Sequence, residues 1–536
     1  MSEYPVESLT DHQPSAPFDD HQPDGQEAMA RSVYEAACEA GDGTLTRRGF
    51  EGILEECGIL KDDRRIAETM AAFSQFSDLE PIQFETFVKI ISPSNTTLIN
   101  RALRGELVVP DFRAFREKLV TIYEITKGYR SGEVAQYIPQ LARVDPEQYA
   151  MSVCTIDGQR FSIGDHTEDY CVQSTCKPVN YAIALETLGV GAVHSHVGRE
   201  PSGRSFNELT LNNRGLPHNP MINAGAIMCA SLIKPSATLA DRFDYVMSVW
   251  RMLTGGSRCG FDNSVYLSEK ATADRNFALA YFMREKGAFP DGVNITDVLD
   301  FYFQCCSITI SASQMAVVAA TFANAGVCPL SNHRIFQTES AMNTLSLMYS
   351  CGMYDFSGEY AFTVGLPAKS GVSGALYIVV PGVCGICIWS PRLDPLGNTV
   401  RGVEFSKLLV KSFPFHTYAS LGEGAGEADP RQSESERKAN NSFRLCSAAA
   451  RGDVNEVRRL IAQGVNLNEP DYDGRTALHL AASDGRLAMA RYLIRHGAGV
   501  DCADRWGNTP LDDARAAGHA DIVDAITAHI EGRAQG

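Results

Sequence analysis

The C-terminal part of this chain of 536 residues repeats itself with a fixed period. The stretch from Asp473 to Ala481 recurs, with related residues, from Trp506 to Ala514, which is 33 residues later. Gly452, Gly485 and Gly518 follow the same spacing. A regular period of this length indicates small structural units that bury their apolar faces only by stacking on one another. The repeat therefore restricts the end of the chain to an array of stacked helical units.

The residues within the period identify the type of repeat. Thr476-Ala477-Leu478-His479 and Thr509-Pro510-Leu511 are typical of ankyrin repeats at this spacing. The pattern predicts two full repeats and a partial N-terminal one within residues 442–532. Terminal repeats usually act as caps, so only a small surface remains for binding. We expect that surface to contact another protein or another subunit.

Composition divides the rest of the chain into four segments. Residues 1–25 are rich in Pro, Asp and Gln and are predicted to be disordered. Residues 26–115 read as a helical domain, and residues 116–422 mix strand and helix patterns. Residues 423–441 are rich in Gly, Glu, Ser, Arg and Asn, so we predict a linker there.

The helical domain resembles an EF-hand that has lost its ligands. Its predicted helices are Met29 to Glu39, Thr46 to Cys57, Asp63 to Phe76 and Pro81 to Ile91. Asp42-Gly43-Thr44 lies between two of them, and Gly43 suits the sixth position of a calcium loop. Positions one, three and twelve are then Cys38, Ala40 and Gly49. Asp42 alone is a usable ligand, so calcium binding is not expected.

Two hairpins are predicted near the ends of the mixed segment. Ala150 to Gly164 alternates as paired strands with a turn at Asp157-Gly158. A second hairpin is expected from Leu376 to Trp389, with its turn at Pro381-Gly382. Helical patterns lie between them. Strands at both ends with helices between favour an α/β sandwich in which the terminal strands share one sheet.

Charge and cysteine content exclude several classes of partner. A net charge of -17 argues against nucleic acid and against anionic membrane surfaces, because both bind through Lys and Arg. The 15 cysteines are odd in number and scattered, which favours a reducing compartment over a disulfide scaffold. Cys384 and Cys387 have redox or zinc spacing, but they lie in a predicted strand where positions three apart face opposite sides. We therefore predict that they are core residues.

The sequence contains no predicted membrane span or targeting segment. The longest apolar stretch, Ala375 to Trp389, is too short to cross a bilayer and contains Pro381. Residues 1–30 hold seven acids and no Lys or Arg, the opposite of a signal or mitochondrial presequence. We expect a cytoplasmic protein, or a mature mitochondrial form whose presequence is missing if the source is eukaryotic.

Three separated segments together suggest an acyl-transfer site. They are Ser174 with Lys177, Lys369-Ser370-Gly371, and Asn223. Ser and Lys three apart lie on one face of a helix. A buried lysine can lose its proton and activate a nearby serine hydroxyl, so these residues predict a serine hydrolase without a histidine base.

The Ser-x-x-Lys spacing is not unique to Ser174. It also occurs at Ser231, which ends an apolar run and is predicted to pack within a helix. Ser435 begins a third match in the predicted linker. Ser174 differs because Gln173 precedes it and Pro178 opens an apolar helical pattern after Lys177.

Longer blocks around these residues resemble the serine-dependent glutaminases, in particular the kidney-type architecture. The resemblance covers roughly residues 30 to 530, and its blocks are Gln136 to Leu141, Val153 to Arg160, Gln173 to Pro178, Glu200 to Gly203, His218 to Ala226, Ser268 to Phe277, Asp300 to Gln304, Ser350 to Gly358 and Leu366 to Val372. It implies a multidomain α+β protein. The catalytic core would be like that of β-lactamases and penicillin-binding proteins, with an all-α N-terminal domain and C-terminal α-helical ankyrin repeats.

The resemblance implies hydrolysis of L-glutamine to L-glutamate and ammonia, without a metal or cofactor. In the family pattern Ser174 is the nucleophile, Lys177 its base and Tyr354 a proton relay. Backbone N–H groups of Ser174 and Val372 hold the oxyanion. The remaining expected site residues bind the α-ammonium and α-carboxylate of the substrate or close the pocket; they are Tyr137, Asn223, Glu269, Asn276 and Tyr302.

The resemblance also implies a homo-oligomer, either a dimer or a tetramer. Gly203 to Gly215 matches a loop that links dimers into tetramers and transmits phosphate activation in the kidney-type family. Here Glu208 replaces a Lys and Thr210 replaces a Phe of the animal kidney-type enzymes. We therefore predict weak or absent phosphate activation.

Two other functions fit parts of the sequence. A penicillin-recognising hydrolase would share Ser174, Lys177 and Lys369-Ser370-Gly371, but a convincing Ser-Asp-Asn or Tyr-x-Asn motif is missing from the expected interval. A non-catalytic scaffold would use the ankyrin repeats as its working surface. The intact set of Ser174, Lys177 and Tyr354 argues against a scaffold.

Overall fold

A computed structural model of the chain describes residues 30–31, 33–35, 37–38, 44–91, 93–203, 208–419, 429–432, 434–462 and 465–534. The chain falls into two compact units, Met1–Arg104 and Gly105–Gly536. Segment 1–25, predicted to be disordered, and Asp42-Gly43 of the predicted EF-hand loop lie outside the described residues.

The N-terminal unit is helical, as predicted. Its helices are α1 (Arg47–Glu56), α2 (Ala67–Phe73), α3 (Phe84–Ile90) and α4 (Pro93–Leu103). The rings of Phe50 and Phe73 stack with centroids 4.6 Å apart, and Phe87 meets both rings edge-on. These three side chains are completely buried, so one aromatic cluster holds α1, α2 and α3 together.

The part of the second unit that precedes the repeats alternates helices with short strands. In chain order these are α5 (Phe112–Lys127), α6 (Pro139–Ala142), β1 (Ala150–Thr155), β2 (Arg160–Gly164), β3 (Tyr170–Cys171), α7 (Lys177–His194), α8 (Asn223–Leu232), α9 (Leu239–Leu253), β4 (Gly260–Phe261), α10 (Asn263–Ala271), α11 (Asp274–Glu285), α12 (Ile295–Cys306), β5 (Ile308–Ile310), α13 (Ala312–Ala323), α14 (Thr338–Cys351), α15 (Ser357–Thr363), β6 (Ala368–Ser370), β7 (Ala375–Val380), β8 (Cys384–Trp389) and α16 (Val400–Ser412).

The main sheet is antiparallel and joins the two predicted hairpins. Its strand order is β2-β1-β8-β7-β6, and Ala150 of β1 pairs with Trp389 of β8. β3, β5 and β4 form a second, smaller sheet. Both hairpins and the pairing of their terminal strands are therefore confirmed.

Both faces of the main sheet are covered, which explains why its central strands are apolar throughout. Helix α13 packs on β1, β7 and β8. Alternate residues of the same strands face a second core that includes α5 and α16. Cys384 lies in that second core and Cys387 in the first, where its thiol is 3.3 Å from the Tyr170 hydroxyl. The prediction that these cysteines are core residues is confirmed.

Helix α5 extends across the boundary predicted after residue 115. Phe112 and Phe115 are buried, and the Phe115 ring lies 5.1 Å from that of Phe413. The apolar face of α5 therefore belongs to the core of the second unit. The composition of residues 26–115 did not reveal this, because the apolar pattern of a single helical turn does not show which of two cores it packs against.

In the described part of the chain, three helix pairs follow α16. Their helices are α17 (Glu434–Arg451), α18 (Val454–Ala462), α19 (Ala477–Ser483), α20 (Leu487–Arg495), α21 (Pro510–Ala516) and α22 (Ala520–Ala534). The first repeat, expected to be partial, has both helices. Helix α17 also includes residues 434–441, which had been assigned to the linker; residues 423–428 lie outside the described residues.

The repeat signature has a direct structural role. The imidazole of His479 bonds the backbone N–H and hydroxyl of Thr476 at the start of α19. Its other nitrogen lies 3.1 Å from the carbonyl oxygen of Asn508 in the next repeat. One buried side chain thus caps a helix and joins two repeats.

None of the 15 cysteines, which all lie in the described part of the chain, forms a disulfide bond. In the described part of the chain, the helices are too short or too polar to cross a membrane. The same residues contain no cluster of His, Cys, Asp and Glu arranged to hold a metal ion.

Candidate active site

Ser174 lies in a tight turn where the chain enters α7. Residues Gln173–Cys176 form a 3-10 turn, and α7 starts directly after it. Gln173 has a φ of 47°, a left-handed conformation that is costly for a residue with a side chain. The N–H of Thr175 donates to the Val172 carbonyl at 2.9 Å, and the Val172 N–H donates to Ile308 of β5. The smaller sheet therefore anchors the turn that presents Ser174.

Lys177 is almost completely buried at the start of α7. Its Nζ donates to Oδ1 of Asn223 at 2.7 Å. Burial lowers the pKa of Lys177 from 10.5 to about 8, against the opposing influence of the Cys306 and Cys176 thiols. An amine with this pKa is partly neutral near neutral pH and can accept a proton.

Tyr354 approaches Ser174 from a second strained turn. It begins the 3-10 turn Tyr354–Phe356 with a φ of 53°, and its side chain is buried. Burial raises the pKa of Tyr354 above its usual value, while a hydrogen bond with the Ser174 side chain lowers it. The phenol therefore remains protonated near neutral pH. One side of this turn borders a cavity of about 460 Å³, lined also by Met221 and Ile222.

The segment after β6 lies directly against the Ser174 turn. A Cβ atom at Gly371 would be 3.0 Å from Cγ2 of Thr175 and 3.2 Å from the Val172 carbonyl oxygen, so a larger residue there would have to displace these neighbours slightly. The Gly371 N–H donates to Ala375. Among the described residues, the backbone N–H groups of Ser174 and Val372 donate to no other backbone group. These two donors are thus available to a ligand.

Glu269 is the centre of a buried polar cluster beside the turn that presents Ser174. Its Oε1 accepts from the Tyr137 hydroxyl at 2.6 Å and from Nε2 of Gln173 at 3.0 Å. Burial raises the pKa of Glu269, and these two hydrogen bonds oppose the rise. Nearly half of the Tyr137 surface, 47%, is exposed although its hydroxyl end points inward. Tyr137 therefore forms one wall of the site's opening.

Asn223, Asn276 and Tyr302 border the same region from three helices. Nδ2 of Asn223, at the start of α8, donates to Oδ1 of Asn276 in α11 at 3.3 Å. Tyr302 in α12 is buried, and its pKa is raised by burial and by the neighbouring Cys306. Glu269 also raises the pKa of Tyr302, which indicates that the two side chains are close.

The structure brings the sequence-predicted residues together and adds two that were not assigned a role. Gln173 links Tyr137 and Glu269 to the turn that presents Ser174. Lys369 is fully buried, and its Nζ lies 4.4 Å from the centroid of the Tyr354 ring. The Lys369-Ser370-Gly371 motif was a signal for Lys369, but Gln173 carried none beyond its position before Ser174.

The other Ser-x-x-Lys matches are not part of this site. Ser231 is buried in α8 and donates to the carbonyl of Met228 at 2.7 Å. Nζ of Lys234 lies 3.8 Å from the ring centroid of Tyr245. The prediction that Ser231 packs within a helix is confirmed. The side chain of Ser435 lies outside the described residues.

Comparison with known proteins identifies three family models. The glutaminase model matches residues 132–418, and the ankyrin model, with three copies, matches residues 445–534. An EF-hand domain model matches residues 29–110. The order of the three agrees with the order expected from the sequence.

Individual relatives agree with this assignment. The mitochondrial glutaminase liver isoform of Rattus norvegicus is 44% identical over 479 residues, which cover 88% of this chain and 79% of the relative. A glutaminase of a Nostoc strain is 41% identical over 302 residues, covering 56% of this chain and 89% of its own length.

Solved structures match the core. One described as a probable glutaminase superposes with a TM-score of 0.53 at 34% identity and covers 55% of this chain and 95% of its own. The native form of Mglu gives a TM-score of 0.52 at 34% identity, covering 55% of this chain and 71% of its own. The expected architecture, a β-lactamase-like core between helical domains, is confirmed. Together the matches show that the chain belongs to the glutaminase family, and that it is an enzyme hydrolysing L-glutamine to L-glutamate and ammonia.

Proposed function

We propose that the protein hydrolyses glutamine through a covalent glutamyl ester on Ser174, with neutral Lys177 as the base. The observation that carries this proposal is the buried Lys177 amine, whose pKa is lowered to about 8, at the first residue of α7 directly after the turn that presents Ser174. A serine hydroxyl is a weak nucleophile until a neighbouring base removes its proton. Lys177 supplies that base without a histidine.

In the acylation step, Oγ of Ser174 forms a bond with the side-chain carbonyl carbon of glutamine and its proton moves to Lys177. The carbonyl oxygen becomes an oxyanion, which accepts from the N–H groups of Ser174 and Val372. These donors are free of backbone partners and so are available without rearrangement. Loss of one such donor typically costs about 3 to 4 kcal/mol in transition-state energy.

Ammonia then leaves as the carbon–nitrogen bond breaks. The departing nitrogen takes a proton from Tyr354, which is reprotonated by Lys177. Water next attacks the ester carbonyl and gives its proton to the same pair, releasing glutamate and restoring Ser174. The Ser174 side chain is close enough to the Tyr354 hydroxyl to lower the pKa of the phenol, and this proximity supports the relay.

The polar groups around Ser174 suit the charged end of free glutamine. Glu269 would pair with the α-ammonium, and Asn223, Asn276 and Tyr302 would bind the α-carboxylate. Tyr137 would close over the substrate, since it is half exposed and already donates to Glu269. Burial removes water from the Glu269 carboxylate, and the positive charge of the substrate ammonium would compensate for that loss.

The covalent step can be tested by trapping the ester. The enzyme is mixed with glutamine, quenched with acid within a turnover, and analysed by intact mass and peptide mapping. We expect a glutamyl adduct on the peptide that contains Ser174, no adduct and no ammonia release from Ser174→Ala, and an unchanged adduct in Ser231→Ala. Ammonia release that persists in Ser174→Ala would exclude this mechanism.

We also propose that the protein is a homo-oligomer, a dimer or a tetramer, and that the ankyrin repeats form a protein contact surface. Tyr472 is 96% exposed, and Trp506, on the hairpin of the following repeat, is 59% exposed. Aromatic residues of this kind are enriched where proteins bind one another. Light scattering of the full chain and of the double variant Tyr472→Ala with Trp506→Ala tests both proposals. A monomeric full chain would contradict the proposed homo-oligomer. Unchanged assembly and binding in the double variant would contradict the proposed contact surface.

The compartment we propose is a reducing one, either the cytoplasm or the mitochondrial matrix. None of the 15 cysteines, all of them described residues, forms a disulfide bond, which supports a reducing environment. The rat and mouse liver isoforms are named as mitochondrial proteins, which favours the matrix if the source is eukaryotic. Fractionation of the native cell, followed by detection of the protein in each fraction, tests this assignment.

A further inference from the structure

The backbone of Tyr354 is strained at the point where its phenol must face the reacting atoms. Tyr354 has a φ of 53°, a left-handed conformation that is unfavourable for a residue with a side chain. Such a conformation persists only where surrounding contacts hold it. Proton transfer by Tyr354 therefore depends on the residues that make those contacts.

The side chain of Ser357 bridges two backbone groups of this turn. Ser357 is the first residue of α15 and is buried. Its Oγ accepts from the Met353 N–H at 3.0 Å and donates to the carbonyl oxygen of Tyr354 at 2.7 Å. One hydroxyl thus holds the chain on both sides of the Tyr354 α-carbon.

A second buried side chain reaches the turn from a distant loop. Asn398 is completely buried, and its Nδ2 donates to the carbonyl oxygen of Met353 at 3.4 Å. The Phe356 N–H donates to the same carbonyl at 3.1 Å. The Asn398 N–H donates to Oδ1 of Asp394 at 3.0 Å, and the Asp394 N–H donates to the Asn398 carbonyl at 2.8 Å. The amide of Asn398 therefore approaches the turn from a closed, hydrogen-bonded loop.

These contacts act on the two peptide groups that define the conformation of Tyr354. Asn398 holds the peptide before the Tyr354 α-carbon, and Ser357 holds the peptide after it. Because each peptide group is planar, the orientation of these two planes sets φ and ψ of Tyr354. Gly397 also lies against the phenol ring, since a Cβ atom there would be 3.7 Å from Cε2 of Tyr354. Both the backbone and the ring of Tyr354 are thus supported.

We propose that Ser357 and Asn398 are positioning residues that hold Tyr354 in its left-handed conformation, with the phenol aimed at the leaving nitrogen. Ser357 has the larger effect, because Phe356 still holds the Met353 carbonyl when Asn398 is replaced. This inference rests on the proposed function, because it assigns Tyr354 to proton transfer. A displacement of about 1 Å at such a group typically costs on the order of 100-fold in rate.

The test uses two substrates that differ in their need for a proton donor. Ammonia leaves glutamine only after its nitrogen gains a proton, whereas the γ-(4-nitrophenyl) ester of glutamate releases 4-nitrophenolate as a stable anion. With the ester, Oγ of Ser174 bonds to the carbonyl carbon, its proton moves to Lys177, and 4-nitrophenolate departs with the electron pair. The pre-steady-state burst of 4-nitrophenolate therefore measures acylation that does not need Tyr354.

Ser357→Ala removes the bridging hydroxyl and leaves the phenol in place. We expect kcat with glutamine to fall about 10- to 100-fold, while the burst rate with the ester stays within about threefold of the wild type. The reason is that Ser174 and Lys177 are untouched.

Ser231→Ala is the matched control. Ser231 is also buried, and its hydroxyl donates to the carbonyl three residues earlier, that of Met228, at 2.7 Å. This is the bond that Ser357 makes with Tyr354. Ser231→Ala should lose a similar amount of Tm but keep both rates.

The outcomes separate positioning from a structural role. A glutamine kcat within about twofold of the wild type in Ser357→Ala, or an equal loss of rate with both substrates, would overturn the proposal. If Ser357→Ala does not fold, Asn398→Leu replaces it, since leucine has the same branched shape without the donor. We then expect a fall of about threefold or more with glutamine alone, and an unselective or absent fall contradicts the inference.

Tyr354→Phe, measured in parallel, tests the proposed function separately. A Tyr354→Phe variant that retains its glutamine kcat would show that the relay itself is misassigned. An inactive Tyr354→Phe beside a fully active Ser357→Ala would leave the relay intact and contradict the positioning role alone.

Discussion

The pH dependence of the enzyme should report the buried Lys177 amine. With a pKa of about 8, half of the free enzyme carries the neutral base at that pH. Each pH unit below 8 reduces the fraction of neutral Lys177 about tenfold. The value of kcat/KM at pH 6 should therefore be about 100-fold below its plateau. The cause is desolvation: the buried ammonium has an amide oxygen as its partner, which compensates poorly for lost water.

The assay is ammonia release at glutamine concentrations well below KM, measured across neutral and alkaline pH at constant ionic strength. The logarithm of kcat/KM should rise with a slope of one and level off above about pH 8. Melting temperatures over the same range confirm that the protein remains folded. Lys407→Met should keep the same profile, because the Lys407 amine is exposed and pairs with Glu404 on the surface.

Two variants sharpen the result. Lys177→Arg places a group that stays charged at the same position, so activity should be lost at every pH. Lys177→Met should also be inactive. A profile that is flat between pH 6 and pH 8, or a Lys177→Arg variant with substantial activity, would refute the assignment of Lys177 as the base.

Stability gives an independent check with a defined sign. The folded-state pKa of Lys177 lies below its ordinary value of 10.5, so the unfolded chain binds more protons between about pH 8 and pH 10.5. The free energy of unfolding should therefore rise with pH in that window, by about 3 kcal/mol relative to Lys177→Met. A difference that is constant across the window would contradict the lowered pKa.

Three further predictions concern the substrate's charged end, the packing of α8 and regulation. Tyr137→Phe removes the 2.6 Å hydrogen bond to Glu269 and should raise KM about tenfold with little change in kcat; steady-state kinetics checks this, and an unchanged KM would contradict it. Gly225→Ala should lower the free energy of unfolding by about 3 kcal/mol or more, because its Cβ would overlap the Asn219 carbonyl; a wild-type denaturation midpoint would disprove the overlap. Added phosphate should change activity by less than the roughly fivefold that allosteric coupling typically gives; a larger rise accompanied by tetramer formation would show that the loop containing Glu208 still transmits activation.

Much of the fold was predictable because local patterns and long-range packing agree. The Asp157-Gly158 turn and its flanking strands appear as β1 and β2. The apolar run of the second hairpin appears as β7 and β8, since strands covered on both faces lose their alternation. The boundary near residue 115 was not predictable. The apolar face of α5 packs against residues far away in the sequence, such as Phe413, and only the folded chain brings them together.

The sequence predicted which residues belong to the candidate site, but not how their side chains contact one another. Motifs identified Ser174, Lys177 and Tyr354 by their residue types and order. They could not show that Gln173 takes a left-handed φ and bridges to Glu269, because that conformation is unfavourable locally and persists only where tertiary contacts hold it.

The helical repeat array, the two hairpins and the kind of chemistry could be predicted from the sequence, because each depends on local spacing and residue type. The protonation of Lys177 and the burial of Lys369 could not, because both depend on how the chain folds. A lysine's pKa depends on how much water its surroundings exclude and which charges lie nearby. Those surroundings come from segments almost 200 residues apart, such as α7 and β6, which only folding brings together.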